Sequence, residues 1–191
     1  MKKMNKAIMI IAKIAEVMNW IGAAVMLVGT IIVSCKKLGF MDFLETLNEE
    51  PLTEMTVSGF SISIVNNSGL YDTAALIIFF IVGMISAITM AMIFRNCYLI
   101  LRTTEGKTWF SKGKTPFQPD NIRMVREIGI FSIGLPIVQT IFSITAKLII
   151  GVDNVETSVQ FTGFVFGLVA LCLSQYFSYG AELEADVEGL V

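Results

Sequence analysis

The 191-residue chain contains no histidine, and only 16% of its residues are charged. Without imidazole it lacks the commonest general base, proton shuttle and zinc ligand, which removes most hydrolase and metalloenzyme readings. Its three cysteines, Cys35, Cys97 and Cys172, stand far apart, so neither a metal-binding spacing nor a disulfide framework is present. Eleven methionines show no Met-x-x-Met clustering and read as gap-filling apolar residues, not a copper site. Gly106-Lys107-Thr108 lacks the preceding glycine and strand of a phosphate loop. No set of paired carboxylates, or of nucleophile and base, falls on one membrane face. Neither an enzyme nor a cofactor is expected.

What is abundant is apolar. Hydrophobic residues make up 54% of the chain, and its mean hydropathy is +0.72. A soluble domain carries about a quarter charged residues and less than half apolar. A bilayer core of about 30 Å takes roughly 20 apolar residues in helical form. Four runs free of Asp, Glu, Lys and Arg meet this need: Val17 to Cys35, Thr73 to Phe94, Ile128 to Ala146, and Thr157 to Ala181. The expected fold is therefore an all-α membrane protein, a four-transmembrane-helix bundle forming one integral domain over 1–191. Its spans lie at about 8–35, 73–101, 121–147 and 157–183, with an outer loop at 36–72 and a cytoplasmic loop at 102–120. Ile32-Val33-Ser34-Cys35 faintly resembles a lipoprotein processing site, but the apolar run is longer than a signal core and reads as a span.

Basic residues set the orientation, because positively charged loops stay in the cytoplasm. Lys2, Lys3, Lys6 and Lys13 lie in the N-terminal segment, and Arg95, Arg102, Lys107, Lys112, Lys114, Arg123 and Arg126 flank or fill the middle loop. Together these are 11 of the 14 basic residues. Both termini and the middle loop are expected in the cytoplasm. Lys36 and Lys37 are minor exceptions, snorkelling at the outer interface.

In the outer loop, Phe40, Phe43, Leu44 and Leu47 recur at helical spacing opposite Asp42, Glu45 and Glu49, and Pro51 ends the pattern. Phe60, Ile62 and Ile64 then alternate with Ser61 and Ser63, predicting a strand within Val57 to Val65 and a turn over 66–69. The strand needs a partner: the same loop, another copy or a peptide. Asp42, Glu45 and Glu49 are candidate sensing residues for a cation or basic peptide, although a solvated helix face is the plainer reading. Asp72 is placed to cap the second span.

The middle loop carries Trp109 and Phe110 between lysines, which suits an interfacial anchor, and then the elbow Pro116-Phe117-Gln118-Pro119. Asp120 is expected to cap the next helix, on which Arg123 and Arg126 lie one turn apart. At the C-terminal end Glu182, Glu184, Asp186 and Glu188 accompany Leu183, Val187 and Leu190 at amphipathic spacing. If this tail is helical, two destinations fit its charge: the basic middle loop of the same molecule, or the basic surface of a soluble partner.

Gly113-Lys114-Thr115-Pro116-Phe117, then Asn121, Arg123 and Ile128-Gly129, and finally Tyr179-Gly180-Ala181-Glu182-Leu183-Glu184-Ala185-Asp186 resemble a family of bacterial four-span membrane proteins known only as a domain of unknown function (the DUF 2975 type). The family departs from this chain at Leu183-Glu184, where many relatives carry Leu-Gln. The resemblance implies a membrane partner for a small helix-turn-helix transcription regulator. In that reading Glu182, Glu184, Asp186, Glu188, Arg123 and Arg126 are the candidate partner-binding residues. An immunity protein against a membrane-active peptide and a small transporter are the alternatives. No direct contact with nucleic acid is expected.

Within the membrane, Lys13 and Glu16 are spaced to pair, and Asn19, Gln139, Gln160 and Gln175 are expected to bond between helices. Pro136 predicts a kink. Gly163 with Gly167, and Gly83 with Ala87 and Ala91, form small-residue faces, read as internal packing with a homodimer as the other possibility.

Overall fold

The computed structural model describes residues 2–35, 53–65, 71–111, 115–157 and 161–188. The carboxylates Asp42, Glu45 and Glu49, the helix expected around them, the turn at 66–69 and Gln160 lie outside the described residues, as does Leu190. The fold is all-α with a small sheet. In order it comprises α1 (Lys2–Ser34), β1 (Glu54–Val57), β2 (Phe60–Ser63), α2 (Thr73–Thr104), α3 (Pro119–Ile150), a 3-10 turn (Val152–Asn154), β3 (Val155–Thr157) and α4 (Phe161–Glu188). All four α-helices are long and apolar enough to cross a membrane. The outward faces of α1 and α4 carry exposed Ile11, Ile14, Val25, Val28, Val165, Leu168 and Val169. A soluble monomer rarely exposes so continuous an apolar surface, whereas lipid solvates it without cost. These features make the chain a multi-pass membrane protein.

The chain divides into two compact units, one formed by 1–19, 89–135 and 161–191, the other by 20–88 and 136–160. In the second unit, Asp72 caps α2 as expected, its Oδ1 accepting from the amides of Ala74 (2.8 Å) and Ala75 (3.4 Å). The strand at 57–65 is narrower than expected, because Ser58 and Gly59 both take positive φ and turn the chain after Val57. A two-residue turn of this kind matches the twist of a hairpin. β1 and β2 pair antiparallel with Val57 opposite Phe60, and β2 then pairs with β3, placing Ile62 opposite Val155. The partner of the strand is thus its own loop on one side and residues 155–157 on the other. The expected start of the fourth span at 157 is corrected here: Val155–Thr157 is extended, and α4 begins at Phe161. Ladder bonds to β2 satisfy this backbone in the extended form.

Phe60, Ile62 and Ile64 are completely buried among Leu76, Phe79, Phe80, Val33 and Ala146. The period-two pattern therefore reads correctly as one inward face. Glycines bring α1 and α2 together: a Cβ on Gly29 would stand 2.8 Å from the Phe80 ring, and one on Gly83 would stand 3.1 Å from the sulfur of Met26. Gln139 Nε2 donates to Ser86 Oγ at 3.2 Å, the expected bond between helices. Such a bond contributes about 0.6 kcal/mol in a membrane. Asn19 corrects its expectation by donating to Ala15 O of its own helix. α3 runs on through Pro136, whose carbonyl accepts from Thr140 Oγ1.

In the first unit, Lys13 and Glu16 pair at 2.9 Å as expected, and Lys13 also sits over the Tyr98 ring. α3 and α4 cross where Gly129 faces Gly167. Gly167 thus packs internally.

Candidate functional site

The first unit gathers the residues that carry most of the chemistry. α2 ends at Thr104 and is closed by Gly106, which has a φ of 71°: its amide donates to Thr103 O (2.9 Å) and the amide of Lys107 donates to Arg102 O (3.1 Å). This is the glycine cap that terminates many helices, three residues later than the sequence pattern indicated. Thr103 is fully buried beneath the turn, where its carbonyl accepts from Ser111 Oγ and its hydroxyl bonds that of Thr108. Trp109 at the tip is 95% exposed and meets Phe110 edge to face.

The elbow before α3 is held by its own side chains. Thr115 Oγ1 accepts the amide of Phe117 (3.2 Å), and Gln118 Nε2 donates to Thr115 O (2.9 Å). Asn121 is fully buried, with Nδ2 donating to Pro116 O (3.1 Å) and to Thr104 Oγ1 (3.2 Å). Gln118 gives its carbonyl to the amide of Ile122, and α3 starts at Pro119. Asp120 therefore lies inside the first turn instead of capping it. Proline at this position donates no amide, so none is orphaned there.

α4 closes on the elbow. The Phe117 ring lies so close to Gly180 that a Cβ there would stand 2.7 Å from it, and it meets Phe177 edge to face at 5.7 Å. The Thr115 hydroxyl donates to Glu184 Oε2 at 2.9 Å. Two motifs about seventy residues apart in the chain thus touch at two points. Alternating carboxylates hint at a tail facing the loop, but neither the Thr115 bond nor the Phe117–Gly180 contact is readable from spacing.

Beside this contact lies an open cleft of about 460 Å³, with Ile122 and Ala181 in its lining. Arg123 and Arg126 of α3 and Ser178 and Glu182 of α4 supply its polar groups. Three of the candidate partner-binding residues are therefore brought together. Arg123 Nε pairs with Glu127 at 3.3 Å, and the other oxygen of Glu127 accepts from Asn96 Nδ2 at 3.0 Å. Among the described residues, no ion pair joins Glu182 to either arginine. Glu184 is committed to Thr115, Asp186 is exposed, and the Glu188 side chain lies outside what is described. Among the described residues, no group of three His, Cys, Asp or Glu side chains is placed to hold a metal.

No family model, no curated protein and no solved structure matches this chain.

Proposed function

We propose that this protein is a non-enzymatic regulator in the bacterial cytoplasmic membrane that holds a small helix-turn-helix transcription regulator at the exposed end of α4. The observation that carries this reading is the fixed acidic face formed by Glu182 and Asp186. These residues lie one turn apart on α4, while Thr115 and Phe117 anchor the same helix end through Glu184 and Gly180. A preordered pair of carboxylates complements the basic surface with which a DNA-binding protein meets phosphate, so membrane capture and DNA binding compete for one surface. The distribution of basic residues supports a cytoplasmic location for this end, and with it for both termini. The resemblance described above supports the class of partner.

The test is purification of the tagged full chain in mild detergent from the cells that make it, with co-purifying proteins identified by mass spectrometry. The regulator is expected to co-purify, and E182Q/D186N to weaken the complex about tenfold, equivalent to roughly 1.4 kcal/mol. Absence of the regulator from the purified chain, or equal retention by the double variant, would overturn the reading.

A further inference from the structure

We propose that the cleft between the start of α3 and the end of α4 is a site for the headgroup of an aminophospholipid, phosphatidylethanolamine being the simplest. This inference rests on the four spans and is independent of the regulator.

Depth is the first argument. The charge-free run of α3 begins at Ile128, and that of α4 ends at Ala181. Arg126, Arg123 and Glu182 therefore stand just outside the hydrocarbon, within about 8 Å along their helices at 1.5 Å per residue. The polar layer of one leaflet is roughly 5–8 Å thick. Tyr176 and Tyr179, 73% and 60% exposed, occupy the last turns of the α4 run, where amphipathic rings favour the interface.

The second argument is charge. Arg123 and Arg126 lie on one wall and Glu182 on the other, yet among the described residues they form no ion pair across the cleft. A phosphodiester bearing an ammonium a few bonds away satisfies both walls. Its phosphate oxygens accept from the guanidinium groups and the Ser178 hydroxyl, and its ammonium donates to Glu182. Phosphatidylglycerol supplies only the anion and leaves Glu182 facing like charge. Phosphatidylcholine has no N–H to donate. Ile122 and Ala181 give the cleft an apolar component suited to the glycerol end of the lipid.

The full chain, purified in detergent, is offered equal amounts of phosphatidylethanolamine, phosphatidylglycerol and phosphatidylcholine with identical acyl chains, and retained lipid is read by native mass spectrometry. Phosphatidylethanolamine is expected to be retained about tenfold over the other two. E182Q is expected to abolish the preference over phosphatidylglycerol, and R123Q/R126Q to reduce retention to the level of phosphatidylcholine. D186N, outside the cleft, leaves lipid retention unchanged although it contributes to the proposed regulator surface, so the two readings fail separately. Equal retention of the three lipids by the unmodified chain overturns the site without need of any variant. Undiminished preference in R123Q/R126Q overturns it as well.

Discussion

At the scale of single residues, glycines and one asparagine do the most to determine local structure. Gly167 has no room for a side chain: a Cβ would lie 2.5 Å from Cγ1 of Ile133 and 2.8 Å from the carbonyl oxygen of Gly129. Backbone cannot yield as a flexible side chain does, so G167A is expected to destabilise the fold by about 1–3 kcal/mol. Gly134, on the partner helix, has nothing within 4 Å of the corresponding position. G134A is expected to stay within about 0.5 kcal/mol of the original. Thermal unfolding in detergent, followed by circular dichroism, compares the two, and equal losses would refute the assigned crossing. Asn121 acts differently. From a fully buried position its Nδ2 donates to Pro116 O and Thr104 Oγ1. The polar turn residues thereby supply what apolar packing supplies elsewhere.

At the scale of elements, the small sheet is the least expected feature and the best defined in its packing. β2 turns Phe60 and Ile62 fully inward, while Ser61 reaches outward to the Thr56 hydroxyl at 2.7 Å. Truncating Phe60 to alanine is expected to cost about 3–5 kcal/mol, the range for a large aromatic removed from a packed core. Ser61→Ala removes one exposed bond and is expected to cost no more than about 1 kcal/mol. Denaturation midpoints of the two variants in the same detergent provide the check, and a smaller loss for F60A than for S61A would contradict the inward assignment. Strand alternation was legible because burial on one face imposes period two. The second partner was not, since pairing with residues 155–157 joins segments about ninety residues apart and leaves no local trace.

At the scale of the whole molecule, the small net charge of −2 conceals a strong segregation. Basic residues gather before the first span and around the middle loop, and carboxylates on the C-terminal turns. On the proposed orientation, fluorescent-protein fusions at the N-terminus and at the C-terminus are both expected to fluoresce, because the reporter folds only in the cytoplasm. One bright and one dark terminus would require an odd number of crossings and would overturn the assignment of four spans.

The order of apolar and charged residues by itself determined that this is a membrane protein with four helices, because the cost of placing charge or unpaired backbone in hydrocarbon leaves few other solutions. Tertiary structure alone decided which polar residues meet. Thr115 reaches Glu184, Phe117 covers Gly180, and Arg123, Arg126 and Glu182 share one cleft without an ion pair across it. Hydrophobic periodicity is a property of neighbouring residues and can be read along the chain. These contacts depend on where distant helix ends meet, which the packing of the folded first unit sets.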